Sequence, residues 1–255
     1  MTKILGLSGK KQSGKNTASS FLHGMEMLNL AIVPEFQISD QGKLVIPVED
    51  KDGNIQGAIL DLEIKNEEFY KYMSVNIWPF IKNYSFADIL KEVVCMQVLG
   101  LSREQCYGTD EEKNTSTKIK WGDVPTPNSQ VKDKSLTARE VMQYVGTDLF
   151  RKMYPNVWAD STITKIKRES TELAIITYIR FPNEVEAVQE NGGKVIRLTR
   201  DPSNGEDQHP SETALDGYEG FDLVVDNSSL DAVETSEKVY HQLMNWGWVS
   251  TEINS

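Results

Sequence analysis

Apolar runs and amphipathic segments alternate along most of the 255-residue chain. The first run, 3–8, ends in a Gly-rich turn, as a buried strand of a parallel sheet does. A helix is predicted from Asn16 onward, because the apolar residues that follow share one helical face: Ala18, Phe21, Leu22 and Met25. The chain therefore opens with a strand, a turn and a helix.

Further strand and helix pairs follow in the same order. A strand at 83–86 leads into a helix that Gly100 ends, with an apolar face of Ala87, Leu90, Val93, Val94 and Val98. The longest apolar run, Leu173–Ile179, predicts a central strand. A helix at Pro182–Glu190 and a strand at 194–199 complete a βαβ unit.

Three more helices and a last strand are predicted from caps and periodicity. Thr137 and Glu140 form a capping box, which opens a helix with an apolar face of Val141, Met142, Val145 and Leu149. Another helix is expected after Pro155. A strand at 222–225 precedes a helix at 230–244, with Asn227-Ser228-Ser229 as its expected cap.

Two segments interrupt this alternation. Residues 30–66 contain two runs, 43–48 and 58–64, around an Asp52-Gly53 turn signal, so a β-hairpin insertion is predicted there. Residues 107–134 are polar and rich in Gly, Pro, Asn, Lys and Thr. That segment is too long for a plain connector, and we expect it to be a functional loop or a mobile lid.

The order of elements predicts a single α/β domain over residues 1–255, with a mostly parallel sheet and helices on both faces. Ligands of such sheets bind at the carboxyl ends of the strands. The segments 9–17 and 180–184, together with Arg200, all follow predicted strands. We therefore expect one cleft to collect them.

Composition narrows the classes of function. The net charge of −11 argues against polymeric nucleic acid as a partner, because binding it requires a basic face, whereas a small phosphorylated ligand needs only a few local cations. No apolar stretch reaches the roughly 20 residues that span a bilayer, and no signal-peptide pattern opens the chain, so we expect a cytoplasmic protein without a membrane partner. Cys95 and Cys106 lack metal-site spacing and are interpreted as packing thiols.

The strongest local signal is the sequence GKKQSGKNT at 9–17, which has the G-x-x-x-x-G-K spacing of a phosphate-binding loop, or P-loop. In such a loop, backbone N–H groups, the helix dipole and a lysine ammonium together attract a polyphosphate. The candidate nucleotide-binding residues are Gly9, Lys10, Lys11, Gln12, Ser13, Gly14, Lys15, Asn16 and Thr17. The motif predicts a P-loop NTPase fold, in which Lys15 bridges the β- and γ-phosphates.

One position departs from the general motif. Asn16 stands where a Ser or Thr hydroxyl usually meets Mg²⁺, and Thr17 comes one residue later. The resulting G-K-x-T spacing is similar to that of nucleoside monophosphate kinases. A Gly-rich turn with solvated lysines is the alternative interpretation.

Five further segments extend the resemblance over most of the chain outside the hairpin insertion. They are SFADILK at 85–91, YGTDEEKN at 107–114, KWGD at 120–123, MQYVGTD at 142–148 and RFPNE at 180–184. In order and spacing, this set resembles the phage-type deoxynucleoside monophosphate kinases. Any one segment alone is weak evidence.

The resemblance implies ATP- and Mg²⁺-dependent phosphorylation of deoxynucleoside monophosphates in the cytoplasm of a phage-infected bacterium, with a homodimer as the expected assembly. Lys15 and Arg180 are the catalytic candidates, and Thr17 is expected near the metal. The acceptor-binding candidates are Lys91, Arg139, Asp148, Arg151, Arg180 and Glu184. For a charged residue on a helix, a solvated surface position is the alternative.

Other residues have two open interpretations. Trp121 and Trp158 offer rings for stacking on a nucleobase, and packing is the favoured role for Trp158. The Asp226-Asn227 pair either approaches the donor base or caps the following helix.

The resemblance contains one mismatch. The family usually carries Asp two residues before the arginine that matches Arg180, and here Tyr178 stands there. Either another acid, such as Asp148 or Glu184, serves the metal instead, or activity is reduced, or the protein is a non-catalytic nucleotide binder. A P-loop kinase acting on another small phosphorylated metabolite is the third hypothesis.

Overall fold

The computed structural model of the protein describes residues 2–60, 62, 67–125, 132–202 and 213–249. They belong to two compact units. The first unit comprises Met1–Ser85 together with Ile163–Ser255, and the second comprises Phe86–Thr162. The single domain over 1–255 stays a prediction.

In chain order, the strands are β1 Lys3–Ser8, β2 Gln37–Ile38, β3 Leu44–Glu49, β4 Ile55–Leu60, β5 Ile81–Tyr84, β6 Ser116–Lys120, β7 Ser135–Thr137, β8 Leu173–Ile179, β9 Lys194–Leu198 and β10 Leu223–Val225. The α-helices are α1 Lys15–Asn29, α2 Glu67–Asn76, α3 Arg103–Tyr107, α4 Asp110–Lys113, α5 Ala138–Gln143, α6 Val157–Glu169, α7 Pro182–Glu190 and α8 Ala232–Asn245. Two π-helices span Leu90–Val98 and Tyr144–Arg151, and a 3₁₀ turn spans Trp121–Asp123. None of the helices in the described ranges has the length and hydropathy needed to cross a bilayer.

The first unit is built on a five-stranded parallel sheet of order β10-β9-β1-β8-β5. In this sheet β1 is central, with Leu5 opposite Ile175 of β8 on one side and Lys194 of β9 on the other. The predicted α/β, P-loop NTPase-like fold class is confirmed. The predicted bounds of β8 and α7 are also confirmed, whereas β5 begins two residues before the predicted 83–86, at the buried Ile81.

Both faces of this sheet are covered. Ile4 and Leu5 are adjacent in β1, so their side chains point to opposite faces, and both are buried. Leu5 and Leu7 pack with apolar residues of α1 and α8, including Phe21 and Leu243. Helix α7 also packs on β1 and β9. The carboxyl end of β1 is therefore held firmly where the loop 9–14 begins.

The insertion predicted at 30–66 is an antiparallel sheet of β2, β3 and β4 in its described part. The hairpin turn lies at Asp52-Gly53 as predicted, and Asp50 Oδ1 accepts hydrogen bonds from the N–H groups of Asp52 and Asn54, each 2.9 Å long. Pairing with β3 extends to the turn, so β4 begins at Ile55 rather than at 58. Positions 61, 63 and 64 of the predicted strand lie outside the described residues.

Two helices of the second unit have π geometry, which changes the residues that they bury. In Leu90–Val98, Leu90 and Cys95 are buried, whereas Val93 is 40% and Val98 is 72% exposed. The predicted face with Val93 and Val98 is wrong, because i→i+5 hydrogen bonding aligns residues five apart. In the π-helix Tyr144–Arg151, Leu149 is likewise exposed, against the prediction.

The packing roles predicted for both cysteines and for Trp158 are confirmed. Cys95 and Cys106 are free thiols buried in the second unit, and burial raises the pKa of Cys95 to about 12. The Trp158 indole is also buried, and its Nε1 donates a hydrogen bond of 3.0 Å to Gly146 O. Its ring centroid lies 5.4 Å from that of Phe150.

The polar segment 107–134 is partly regular. It contains α4, β6 and the 3₁₀ turn, and β6 pairs with β7. Thr109 caps α4, and Thr137 caps α5 through the predicted capping box with Glu140. Residues 126–131 lie outside the described residues, and the action of this segment as a lid stays a prediction.

Candidate nucleotide-binding site

The loop 9–14 between β1 and α1 is shaped by residues with positive φ. Gly9 has φ of +153°, Gln12 +60° and Gly14 +105°. Glycine adopts these values without steric cost, but a glutamine held in the left-handed region costs roughly 1–3 kcal/mol. Such strain persists only where the surroundings fix the backbone, and it is commonest at ligand sites. The loop is therefore held in one curled conformation.

Steric crowding also requires a glycine at position 9. A Cβ at this position would overlap Ser13 Oγ and would lie 2.9 Å from Leu198 O. The backbone thus passes closely between the Ser13 side chain and the end of β9. No other residue type fits this point of the loop without displacing one of them.

The interior of the loop holds the Lys15 ammonium. Lys15 is only 6% exposed, and its Nζ donates to Gly9 O at 2.8 Å, Lys10 O at 2.6 Å and Ser13 Oγ at 3.2 Å. The first turn of α1 carries no acidic residue, and none of the described side chains caps it. A cation and the positive end of a helix dipole therefore meet inside the loop, which is the arrangement that attracts an anion.

Asn227 holds the loop from the end of β10. Its buried amide donates from Nδ2 to Ser13 O at 2.9 Å, and its Oδ1 accepts from Arg200 N at 2.8 Å. The Arg200 guanidinium donates in turn to Asn227 O and Leu230 O. The capping role expected for Asn227-Ser228-Ser229 is wrong, since Asp231 caps α8 by accepting from the Glu234 N–H.

The role of Asn227 was not predicted, because no local sequence pattern indicates it. Ser13 and Asn227 are separated by 214 positions in the chain. Only the neighbouring carboxyl ends of β1, β9 and β10 bring them together. The expectation that Asp226-Asn227 contacts the donor base stays a prediction.

Tyr178 and Arg180 lie at the carboxyl end of β8. The Asn16 amide donates from Nδ2 to Tyr178 Oη at 2.8 Å. The Tyr178 ring centroid lies 6.0 Å from Lys15 Nζ and 5.9 Å from Arg180 Cζ. The first unit thus brings the loop lysine and the predicted catalytic arginine to one aromatic ring.

Glu184 positions the backbone of this strand end. Its carboxylate is buried, and Oε2 accepts from the N–H groups of Arg180 at 2.8 Å and Phe181 at 3.3 Å. An acid in the first turn of a helix is favoured by the helix dipole. Its observed contacts stabilise the start of α7 and fix the backbone that carries Arg180.

A second polar network borders the loop. Lys10 Nζ pairs with Asp216 at 2.6 Å, and Arg197 contacts the same carboxylate at 3.4 Å and donates to Ser8 Oγ at 3.0 Å. A cavity of about 380 Å³ adjoins these residues and is lined also by Tyr218. Arg197 and Asp216 belong to no recognisable sequence motif, so their place beside the loop was not predicted.

The hairpin insertion reaches the first turn of α1. Gly42 lies in the turn between β2 and β3 with φ of +73°, and a Cβ added to it would overlap Thr17 Oγ1. Farther along α1, a Cβ at Gly24 would overlap the Phe36 ring. The insertion therefore packs along α1 and touches Thr17, the residue expected near the metal.

The other acceptor-binding candidates belong to the second unit. Lys91 Nζ lies 4.5 Å from the Tyr107 ring centroid, and burial raises the pKa of Tyr107 above its usual value. Arg139 pairs with Asp110 at 2.5 Å and donates to Asn114 at 3.1 Å. Asp148 pairs with Lys152 at 3.4 Å on the surface, and Arg151 ends the second π-helix.

The parallel sheet, the order of its strands and the loop around Lys15 define the class of P-loop kinases and related nucleotide-binding enzymes. Residues 3–237 match the family described as deoxynucleotide monophosphate kinase, and the chain belongs to this family. The protein is accordingly a phosphotransferase that acts on deoxynucleoside monophosphates and uses a nucleoside triphosphate.

Two viral relatives are similar to parts of the chain. A protein of Acanthamoeba polyphaga mimivirus named "Putative deoxynucleotide monophosphate kinase" is 31% identical over 176 residues, which is 63% of this chain and 80% of the relative. An uncharacterized protein, ORF77, of Ictalurid herpesvirus 1 (strain Auburn) is 31% identical over 102 residues. That match covers 38% of this chain and 44% of the relative.

Proposed function

We propose that the protein transfers the γ-phosphoryl group of ATP to deoxynucleoside monophosphates and so supplies diphosphates for viral DNA synthesis. The observation that carries this proposal is the Lys15 ammonium enclosed by the loop at the start of α1. The proposed setting, the cytoplasm of a phage-infected bacterium, rests on the resemblance of the sequence motifs alone. The homodimer likewise rests on that resemblance.

The chemistry asks for positioning and charge stabilisation more than for covalent catalysis. Lys15, the loop amides and the α1 dipole hold the β- and γ-phosphates of the donor. Arg180 neutralises charge on the transferring group or on the acceptor phosphate. Its backbone is fixed by the Glu184 carboxylate, which supports a positioning role for Glu184 rather than a direct contact with the acceptor.

Mg²⁺ is proposed to enter with ATP. This ion takes most of its ligands from substrate phosphates and water, with few from the protein. Accordingly, no cluster of three or more His, Cys, Asp or Glu side chains is needed, and the described part of the chain contains none. The Thr17 hydroxyl and the Asn16 amide are the oxygen donors that the first turn of α1 offers. The ion, when bound, neutralises phosphate charge.

Acceptor binding is proposed for residues of the second unit. Lys91 and Arg151 are proposed to contact the acceptor phosphate. Arg139 is held by Asp110 and Asn114, which supports a role in ordering the segment 110–114. Asp148 is paired with Lys152 and is proposed to contribute through that helix surface.

The decisive assay measures ADP formation from ATP and Mg²⁺ with each of the four deoxynucleoside monophosphates. We expect turnover with at least one acceptor and a loss of at least about 100-fold in kcat for Lys15→Ala, as for removal of one transition-state donor. Lys51→Ala, in the exposed hairpin turn, is the matched control and keeps wild-type activity. ATP binding without turnover on any acceptor supports a non-catalytic binder instead, and turnover only on another phosphorylated metabolite supports a different acceptor.

A further inference from the structure

Tyr178 stands out within β8, a strand whose seven residues are all described. The other six side chains of the strand are buried, whereas Tyr178 is 37% exposed at its carboxyl end. A large ring there contributes little to the core. Its position therefore calls for a role other than packing of the sheet.

The Tyr178 side chain lies beside three residues assigned to the proposed phosphate site. Its hydroxyl accepts a hydrogen bond of 2.8 Å from the Asn16 amide. Its face lies 6.0 Å from Lys15 Nζ and 5.9 Å from Arg180 Cζ, within the range over which an aromatic ring attracts a cation. One side chain thus links the start of α1 to the residue that follows β8.

A tyrosine at this point differs physically from an acid. A carboxylate between Lys15 and Arg180 would form ion pairs with them and would place a negative charge beside an incoming polyphosphate. The neutral ring attracts both cations through its quadrupole and adds no such charge. It can therefore orient the two cations without opposing the binding of the anion.

We propose that Tyr178 is a positioning residue of the phosphate site, with its hydroxyl fixing Asn16 and its ring fixing Lys15 and Arg180. This inference rests on the proposed kinase function. Two parts of one side chain then have separable effects. Loss of the hydroxyl weakens ATP binding through Asn16, and loss of the ring lowers the rate of transfer through Lys15 and Arg180.

The test is a double-mutant cycle on Tyr178→Phe and Asn16→Ala, with Tyr178→Leu as the variant that lacks the ring. The change to Phe should raise KM for ATP about three- to tenfold with kcat little changed, the effect of one ordinary hydrogen bond. The KM of the double variant for ATP should be no higher than that of the poorer single variant, because the two substitutions remove the same hydrogen bond. Tyr178→Leu should lower kcat about tenfold or more.

Tyr72→Phe is the matched control, since Tyr72 is exposed on α2 in the same unit. It should keep wild-type KM and kcat, and all variants should keep the wild-type midpoint of thermal unfolding. Additive effects of Tyr178→Phe and Asn16→Ala, or wild-type kinetics in Tyr178→Leu, would overturn the proposal while the kinase function stands. A wild-type protein that neither binds nor turns over ATP would remove the proposed function, and this inference with it.

Discussion

Single side chains that are distant in sequence hold the loop 9–14 in place. The Asn227 amide bonds to Ser13 O on one side and to Arg200 N on the other, and it is fully buried. Buried polar groups are expensive to leave unpaired, so one amide serves two backbone groups of two different loops. The loop conformation is therefore set by β9 and β10 as well as by its own glycines.

Asn227→Ala should lower the free energy of unfolding by about 2–4 kcal/mol, because it removes the side-chain partner of the buried Ser13 carbonyl and of the partly buried Arg200 N–H. It should also weaken ATP binding, since the loop loses a support. Urea unfolding and calorimetric titration with ATP measure the two effects. Asn245 is exposed at the end of α8, so Asn245→Ala is the control. Its free energy of unfolding should stay within about 0.5 kcal/mol of the wild-type value. Equal stability of the two variants would contradict the role of Asn227.

His23 couples stability to pH from within α1. Its ring is buried, Nδ1 lies 2.9 Å from Ser19 O, and burial lowers its pKa to about 4 from 6.5. The unfolded chain therefore binds a proton between pH 6.5 and 4 that the folded protein does not, so stability falls as the pH falls through this window. The contribution of His23 to this loss is about 3 kcal/mol. His23→Leu should show a shallower loss from pH 7 to 4 in urea unfolding, and an identical pH profile would refute the assignment.

Among the elements, the hairpin insertion contacts the first turn of α1, which belongs to the proposed nucleotide site. Its Phe36 packs on Gly24 and its Gly42 on Thr17, so β2 and the following turn lie along α1. The first turn of α1 is the proposed binding point for phosphates. Substitutions in the insertion should therefore affect the proposed phosphate site through Thr17.

Gly42→Ala and Gly53→Ala form a matched pair that tests this contact. Both glycines have positive φ, +73° and +83°, so each alanine should cost about 1–2 kcal/mol of stability from backbone strain alone. A Cβ at 42 also overlaps Thr17, whereas one at 53 meets only Glu49 Oε1 at 3.7 Å. Overpacking should add about 1–3 kcal/mol for Gly42→Ala and should raise KM for ATP. Equal effects of the two variants in urea unfolding and in kinetics would argue against contact with the site.

Sequence patterns predicted some elements well and others poorly, for physical reasons. The bounds of β8 and α7 followed from an apolar run, a proline that begins the helix and a glycine pair that ends it. The π-helices could not be predicted, because their apolar residues fit an α-helical face equally well. The contact between Gly42 and Thr17 was also invisible, since it depends on how the insertion folds back. The sequence thus located the loop and its lysine but not the residues that support them.

For the whole molecule, an acidic protein must bind an anionic ligand. The chain carries a net charge of −11, so attraction for a nucleotide has to come from local cations and helix dipoles. In the first unit Lys15, Lys10, Arg180 and Arg197 are brought to the carboxyl ends of β1, β8 and β9. We therefore expect the local arrangement of these cations, rather than the overall charge, to determine where the nucleotide binds.

ATP should stabilise the whole fold, because a ligand that binds only the folded state adds RT ln(1 + [L]/Kd) to its stability. At 100 times Kd the gain is about 2.7 kcal/mol. Thermal unfolding with and without ATP and Mg²⁺ measures it. Lys15→Ala should lose most of the gain, and an unchanged gain in that variant would mean that ATP binds elsewhere.

We propose that the loop around Lys15 holds a triphosphate whose γ-phosphoryl group passes to a deoxynucleoside monophosphate. Incubation with γ-³²P-labelled ATP and each acceptor in turn, followed by chromatographic separation of the nucleotides, tests it most directly. We expect label in a deoxynucleoside diphosphate for at least one acceptor with the wild-type protein, and at least about 100-fold slower labelling with Lys15→Ala. Label found only in ATP and inorganic phosphate with all four acceptors would contradict it.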